Sequence, residues 1–348
     1  MAFMKKFLYF CLFLLPIFGF AKTHLFVLFD AGETYVLQPV IEDLKAQGEV
    51  VDVLALGTSQ SLMPNAKTLL GVDRFWDRYQ MLLETQLEDI CATYEPEVVT
   101  IGVSSKIQLQ IAQKFQKKAS IVAYYDNFNP IERSVYAPLI REIEAHVDLF
   151  LTASEFGAAS SHAKEVHVVG NPDLEKMISK INEVDRPTIK EKLGLHPTCP
   201  VVTYIGGYDT DYEEGLRLFA TGMDFYPNYQ IVICPHPKSD GSLEKSYFQK
   251  ACFPEDTIAA IALADVVVCH RSTLGIKSLL AGKKVIFVDP VFSLTPKEWG
   301  AYSAGDTESF HFAMDQKESK VKGKIPDQSI LLFRLLLTDT EREEESKD

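Results

Sequence analysis

The chain alternates short apolar runs, rich in Val and Ile, with longer stretches whose apolar residues recur at helical spacing. The first strand-like runs are His24–Phe29, Val50–Leu56, Val98–Val103, Ile121–Tyr125, Asp148–Thr152 and Glu165–Val169. Amphipathic stretches such as Tyr35–Gln47 and Ile107–Phe115 separate these runs. Strands and helices that alternate in this way form βαβ units, in which the strands are parallel. The sequence therefore predicts an α/β fold built on a parallel sheet.

The pattern stops at Gly170-Asn171-Pro172 and then begins again. The second set of strand-like runs is Pro200–Ile205, Gln230–Cys234, Ala264–Cys269 and Lys284–Val288. Two such sets predict two doubly wound, Rossmann-type domains that face each other across a cleft, with ligands at the carboxyl ends of the strands. The predicted units are the domains 22–170 and 200–337, a linker with a short helix at 171–199 and a disordered acidic tail at 338–348.

Residues 1–21 are typical of a secretory signal peptide rather than of a folded element. Lys5 and Lys6 precede an apolar run that ends at Phe20, and the small residues Gly19 and Ala21 flank a possible cleavage site. We therefore expect an exported protein, periplasmic or membrane-anchored, which touches a membrane only through this segment if it is uncleaved. The alternatives are an uncleaved anchor and a buried N-terminal strand, and without a signal the protein is expected in the cytoplasm.

The charge balance of the chain limits its partners. Lys and Arg total 35, Asp and Glu total 48, and the formal net charge is −13. Such an acidic protein repels a phosphate polyanion, so we expect no nucleic-acid partner, although a small phosphorylated ligand remains compatible. Five cysteines follow the signal-like segment without a CxxC pair, which indicates neither a disulfide framework nor structural zinc. We expect no metal and no cofactor.

The segment 264–275 is the strongest candidate for a ligand site. An apolar strand runs into a turn, and Ser272 or Thr273 can cap the helix that is predicted to follow. The next two amides would then point at the strand end, where the helix dipole favours an anion, and Arg271 adds donors suited to phosphate. The alternative is an ordinary capped helix with Arg271 as a surface charge. The residues predicted to hold a diphosphate without a metal are Arg271, Ser272, Thr273, Leu274 and Gly275.

Several segments resemble the family of GT-B-fold enzymes. ADVVVCHRSTLGIKSLLAGKKVIFVDP is similar to their donor site, FDAGETYVLQPVIEDLKAQG to their first strand, glycine turn and helix, and LGLHPTCPVVTYIGG to the opening of their second domain. VHVVGNPDLEKM is similar to the end of their first domain, and VICPHPK to the His-Pro motif of glycerophosphate and capsule transferases. The patterns are nearest to those of UDP-N-acetylglucosamine 2-epimerases, lipid-A-disaccharide synthases and CDP-glycerol glycerophosphotransferases. The resemblance implies a GT-B-like fold and a nucleotide-sugar or phosphorylated ligand.

The resemblance also implies roles for individual residues. His236 matches the His-Pro motif and would contact the donor phosphate or assist the leaving group; the alternative is a strand-end histidine fixed by flanking prolines. Asp30 or Glu33 would be the general base, and the alternative for Glu33 is a first-turn acid that complements the helix dipole. The further ligand-binding candidates are three turn glycines and one acid that follows a strand: Gly32, Gly206, Gly207 and Asp126.

Departures from the family patterns leave three functions open. A 2-epimerase has a Gly-Gly pair where this chain has His270-Arg271-Ser272-Thr273, and a lipid-A-disaccharide synthase has Ser-Gly-Asp where it has Thr34-Tyr35-Val36. The acid that usually binds the donor ribose is not identifiable. The leading hypothesis is metal-independent transfer of a sugar or phospho-alditol from a nucleotide-activated donor, in envelope glycan assembly. The alternatives are a nucleotide-sugar 2-epimerase and an exported, non-catalytic binding protein with a GT-B-like cleft.

Overall fold

The computed structural model describes residues 21–207, 211–236, 239–290, 297–319, 321, 323 and 325–339. Apart from Ala21, the predicted signal segment lies outside these ranges, as do residues 340–348 of the predicted tail. Thr338 and Asp339, which the prediction assigned to the tail, belong to the last helix. No helix within the described ranges is both long enough and apolar enough to cross a membrane.

The first set of strands forms a six-stranded parallel sheet, as predicted. Its strands are β1 (Thr23–Leu28), β2 (Val50–Ala55), β3 (Val98–Ile101), β4 (Ser120–Tyr125), β5 (Leu149–Thr152) and β6 (Val166–Val168). Their order is β2-β1-β3-β4-β5-β6, and each neighbouring pair is parallel. The order changes direction between β1 and β3, and ligands of doubly wound sheets bind beside such a point.

Helices connect these strands on both faces of the sheet. They are α1 (Ala31–Ala46), α2 (Ser59–Leu62), α3 (Glu84–Thr93), α4 (Lys106–Phe115), α5 (Ala137–Glu144) and α6 (Glu155–Ala159). Helix α1 begins with a capping box: the Asp30 side chain accepts a hydrogen bond from the Glu33 N–H, and the Glu33 side chain accepts one from the Asp30 N–H at 3.2 Å. This box fixes the start of α1 at the carboxyl end of β1.

The predicted linker contains two helices, α7 (Pro172–Glu183) and α8 (Arg186–Lys192). Asn171 caps α7, because its side chain accepts a hydrogen bond from the Leu174 N–H at 3.0 Å. Helix α7 packs against α1 of the first half and also against a helix of the second half, Thr257–Leu263. It therefore joins the two sheets.

The second set of strands forms a separate five-stranded parallel sheet. Its strands are β7 (Val201–Ile205), β8 (Gln230–Cys234), β9 (Val266–Cys269), β10 (Lys284–Val288) and β11 (Tyr302–Ala304), in the order β11-β10-β9-β7-β8. The first four match the predicted runs. The sequence pattern missed β11, because a strand of three residues is too short to show an apolar period.

The helices of the second half are α9 (Tyr212–Met223), α10 (Ser242–Tyr247), α11 (Thr257–Leu263), α12 (Thr273–Leu280), α13 (Thr307–Asp315) and α14 (Ser329–Asp339). The predicted boundaries place α14 in the second domain, but α14 packs against α1 of the first half. Arg334 pairs with Asp43 of α1 at 3.1 Å, and the Phe333 ring lies 4.9 Å from the Tyr124 ring. The chain therefore returns to the first sheet at its end.

The two halves meet through loops that follow their strands. The Trp299 indole, beyond β10, donates a hydrogen bond to the Phe128 carbonyl, beyond β4, at 3.1 Å. Arg133 pairs with Glu298 across the same junction at 2.7 Å. Trp299 is fully buried in a cluster that contains core residues of both sheets. The segments that follow β4 and β10 therefore pack against each other where the two halves meet.

Candidate functional site

Two acidic side chains meet at the carboxyl edge of the first sheet. Asp30 follows β1 and caps α1, and Asp126 follows β4. A Cβ atom on Gly32 would lie 2.4 Å from Asp126 Oδ2, so glycine permits this carboxylate to reach the start of α1. Burial, together with the negative charge of Asp30, raises the pKa of Asp126 to about 6, although the positive charge of Lys277 opposes the rise. The fold thus brings three of the predicted site residues together.

Glu33 points into the protein rather than into the cleft. Its side chain is buried, and its Oε1 accepts hydrogen bonds from the Phe29 and Asp30 N–H groups and, at 2.7 Å, from Gln108 Nε2. The Ser104 hydroxyl donates to its Oε2 at 3.1 Å. Burial raises the pKa of Glu33 to about 8. The geometry therefore differs from both interpretations of the sequence, a general base and a charged first-turn acid that complements the helix dipole. Glu33 is a first-turn acid in a buried hydrogen-bond network.

The raised pKa of Glu33 predicts a pH-dependent stability. The folded state keeps a proton on this carboxyl group that the unfolded chain loses near its ordinary pKa of 4.5. The contribution of Glu33 to the free energy of unfolding therefore declines as the pH rises from about 4.5 to about 8, by up to about 1.4 kcal/mol per pH unit. Glu33→Gln keeps the shape of the network without the titration, so its urea midpoint should fall less than that of the wild type between pH 5.5 and pH 7.5. Parallel curves for the two proteins would contradict this expectation.

Arg271 is held by two carboxylates of the protein. Its guanidinium contacts both carboxylate oxygens of Asp211, one of them at 3.0 Å, and Asp289 Oδ1 at 3.2 Å. Asp211 and Asp289 are 8% and 3% exposed, so these pairs are largely withdrawn from water. This differs from both interpretations of the sequence, a phosphate contact and a free surface charge. The guanidinium donors of Arg271, which would suit phosphate, bind the carboxylates of Asp211 and Asp289.

His270 completes this cluster, 3.6 Å from Asp211. Asp211, His270 and Asp289 offer ligand atoms within 4.8 Å of one another, and their residue types suit a divalent metal ion. The Arg271 guanidinium, however, already lies within 3.2 Å of both carboxylates. A metal ion would have to displace that cation or lie beside it against charge repulsion. We therefore interpret the cluster as an ion-pair network that ties the ends of β9 and β10 to the start of α9.

Helix α12 begins where the sequence predicted, but its first amides are differently engaged. The Leu274 N–H donates to Ser272 Oγ at 3.2 Å, and the Gly275 N–H donates to the Ser272 carbonyl at 2.9 Å. A Cβ on Gly275 would lie 2.4 Å from Cys269 Sγ, so this glycine serves the packing of α12 on β9 rather than a ligand. Thr273, the first helical residue, and the positive end of the helix dipole lie at the sheet edge.

Of the two predicted glycines after β7, Gly206 approaches the end of the neighbouring strand β8 and Gly207 approaches the start of helix α9. A Cβ on Gly206 would lie 2.8 Å from the His236 backbone nitrogen and 2.9 Å from Glu244 Oε1. A Cβ on Gly207 would lie 2.8 Å from the Tyr212 ring. The close contacts that these glycines permit are thus contacts within the protein, which differs from the predicted approach to a ligand. His236 is half-buried at the carboxyl end of β8, the place where the sequence analysis put it.

The sequence analysis missed two cations that border the cleft, Arg78 and Lys277. Lys277, on α12, is 8% exposed and forms an ion pair with Asp173 in the first turn of α7. Arg78, between β2 and α3, lies 3.9 Å from Asp30. A signal existed for Lys277, because a lysine on the second turn of an otherwise apolar helix needs a buried partner. Nothing in the sequence distinguished Arg78 from its neighbour Arg74.

Comparison with known proteins supports the fold. Neither a protein-family model nor a curated protein sequence matches this chain. A putative UDP-N-acetylglucosamine 2-epimerase from Listeria monocytogenes superimposes with a TM-score of 0.67, at 10% identity, over 92% of this chain and 98% of that one. The UDP-GlcNAc 2-epimerase from Neisseria meningitidis, solved bound to UDP-GlcNAc, gives 0.64 at 11% identity over 91% and 100%. Sucrose-phosphate synthase from Thermosynechococcus elongatus gives 0.57 at 14% identity over 84% and 89%.

These similarities cover most of the chain but have little sequence identity, so they define the fold alone. The protein has the two-domain α/β fold of UDP-GlcNAc 2-epimerases and GT-B glycosyltransferases. This confirms the fold class that the sequence resemblance implied.

Proposed function

We propose that the protein binds a nucleotide-activated sugar or alditol in the cleft and transfers the activated group to an acceptor without a metal ion. One observation carries this proposal. Lys277, on the helix whose first turn was predicted to face the donor phosphates, forms an ion pair with Asp173 at the start of α7, and its positive charge opposes the rise in the pKa of Asp126. This supports a donor site on α12 that faces a carboxyl group suited to proton transfer in the first half.

The donor half of the proposal rests on helix α12 and on the fold. The positive end of the α12 dipole lies at the sheet edge, where it favours an anionic diphosphate. The similar Neisseria protein was solved with a sugar nucleotide, UDP-GlcNAc. We place the diphosphate at Thr273 and propose that His236, at the end of β8, donates a hydrogen bond to the departing phosphate. Arg271 is assigned to the ion-pair network instead.

The acceptor half of the proposal rests on Asp126. A carboxyl group with a pKa of about 6 is mostly ionised at neutral pH and still accepts a proton in a transition state. We propose that Asp126 takes the proton from the acceptor hydroxyl as that oxygen attacks the activated group. Burial and, to a smaller extent, the negative charge of Asp30 at the start of α1 raise the pKa of Asp126. Envelope glycan assembly remains the proposed setting, on the strength of the signal-like segment 1–21.

A nucleotide-sugar 2-epimerase is the second candidate, because the Listeria and Neisseria structures carry that activity in their names. An epimerase changes the configuration of the sugar without an acceptor, whereas a transferase needs one. The third candidate, a binding protein, would turn over no donor at all. Product analysis with and without acceptor separates these three functions.

The proposed function predicts nucleotide binding that survives removal of divalent metals. Calorimetric titration with UDP, CDP and GDP should give binding by at least one nucleotide, and excess chelator should leave the affinity unchanged. Release of free nucleotide from UDP-GlcNAc and CDP-glycerol then measures turnover. Binding by no nucleotide, or binding that the chelator abolishes, would contradict the proposal. Turnover of donor to an epimerised sugar without acceptor would favour the 2-epimerase.

A further inference from the structure

The segment between β2 and α3 contains a four-residue pattern twice in succession, Asp73-Arg74-Phe75-Trp76 and Asp77-Arg78-Tyr79-Gln80. In each copy the Asp carboxylate accepts a hydrogen bond from the N–H of the aromatic residue two positions later, at 2.8 Å and 2.7 Å. The two turns therefore have the same local construction. Their two arginines occupy equivalent positions in the turns but lie in different surroundings.

Arg74 is exposed, and its guanidinium lies 4.5 Å from the ring centre of its neighbour Phe75. Arg78 is half-buried, and its guanidinium lies 4.4 Å from the ring centre of Tyr136, a residue more than 50 positions along the chain. The Arg78 carbonyl accepts a hydrogen bond from the Lys106 N–H, at the start of α4, at 2.7 Å. Both the backbone and the side chain of Arg78 are thus held at the edge of the first sheet.

The hydrogen-bond donors of Arg78 are not fully used by the described part of the protein. Its Nη2 lies 3.9 Å from Asp30 Oδ2, which is an ion-pair distance but too long for a hydrogen bond. Its Nη1 is buried and has no hydrogen-bond partner among the described residues. A buried donor without an acceptor costs free energy. The Arg78 side chain is 24% exposed, so an oxyanion can reach the guanidinium and, after a small rotation of the side chain, supply the missing acceptor.

We propose that Arg78 binds a phosphomonoester group, carried by the acceptor, on the first-sheet side of the cleft. The planar guanidinium matches two phosphate oxygens and carries a full positive charge. A phosphate held there lies beside Asp30, which is itself next to Asp126. The term acceptor rests on the proposed function, whereas the anion site rests on the contacts of Arg78 alone.

The segment that contains Arg78 suits either a soluble or a lipid-borne phosphomonoester. Leu70, Phe75 and Leu83, on the same segment, are 97%, 78% and 69% exposed. Such side chains tolerate an apolar chain next to the phosphate, and they equally tolerate water. Arg78 recognises the same phosphomonoester group in the two cases. The experiment therefore uses one soluble and one lipid-borne phosphomonoester as probes.

The repeat supplies a matched control, because Arg74 has the same local turn without the buried surroundings. We would titrate the wild type, Arg78→Gln and Arg74→Gln with sn-glycerol 3-phosphate by calorimetry, in the presence of saturating UDP to fill the proposed donor site. Co-sedimentation with phosphatidylcholine vesicles, with and without phosphatidic acid, tests a lipid-borne phosphate. Arg78→Gln should weaken the binding of the effective probe at least about tenfold, and Arg74→Gln should change it less than about twofold.

The outcomes separate the anion site from the proposed function. Binding of glycerol phosphate that depends on Arg78 supports a soluble acceptor, and binding to phosphatidic acid vesicles alone supports a lipid acceptor. Arg78-dependent binding by a protein that binds no nucleotide keeps the anion site and removes the proposed function. The proposal is overturned if neither probe binds the wild type, or if Arg78→Gln and Arg74→Gln weaken binding equally. Circular dichroism confirms that both variants are folded.

Discussion

Asp126→Asn should lower donor turnover by about 10²- to 10⁴-fold, the range for loss of a general base. Asparagine keeps the size of the side chain and the contact with Gly32 but cannot accept the proton. The affinity for nucleotide should change much less, because Asp126 lies in the half of the cleft opposite α12. Steady-state release of free nucleotide, with calorimetry for the affinity, measures the two effects separately.

The pH profile supplies an independent test of the same residue. Asp126 acts only when ionised, so wild-type turnover should rise with pH through about 6, the pKa of this group. The activity that Asp126→Asn retains should not rise with pH in this range. Asp148→Asn is a suitable control, because Asp148 lies at the amino end of β5, where its carboxylate accepts a hydrogen bond from the Ile121 N–H at 2.7 Å. Equal losses in the two variants would remove Asp126 from the mechanism.

Arg271→Ala should destabilise the fold by about 3–5 kcal/mol, the usual cost of removing one partner from a buried ion pair. The substitution leaves Asp211 and Asp289 without the guanidinium that now lies between them. Those two carboxylates are largely shielded from water. Hydrogen bonds to water therefore replace the lost contacts only in part. Urea unfolding at neutral pH measures the change.

Two further variants test this explanation. Lys67→Ala breaks an exposed ion pair with Asp52 and should cost less than about 1 kcal/mol. Adding Asp211→Asn to Arg271→Ala removes one of the two carboxylate charges that lost the guanidinium and should restore part of the lost stability. A fully stable Arg271→Ala that binds nucleotide poorly would instead favour the phosphate contact predicted from the sequence.

The strands were predictable because their signal is local. A parallel strand that is buried on both faces requires an uninterrupted apolar run. The consecutive Val residues of β9 form such a run. The start of α12 was predictable for a similar reason, since a serine after a buried strand caps the helix that follows it. The long segment between β2 and α3 has no such period, and its turns depend on individual Asp side chains.

The roles of the charged residues were less predictable. Arg271 was interpreted from its neighbours in the sequence, but its partners Asp211 and Asp289 lie 60 and 18 positions away along the chain. Glu33 carries the same sequence signal whether it faces solvent or the interior, and the contacts with Gln108 and Ser104 decide between these. Arg74 and Arg78 have the same local pattern, and only the fold places one of them against Tyr136 and Asp30.

The sequence by itself determined the α/β class, the two sets of parallel strands and the edge at which the candidate site residues would lie. These follow from periodicity, turn residues and caps, which act over a few neighbouring positions. The tertiary structure alone decided which charges meet: Arg271 with Asp211 and Asp289, Lys277 with Asp173, and Asp126 with Asp30. The physical reason is that burial and Coulomb interactions depend on distances in space, and strands far apart in the chain set those distances.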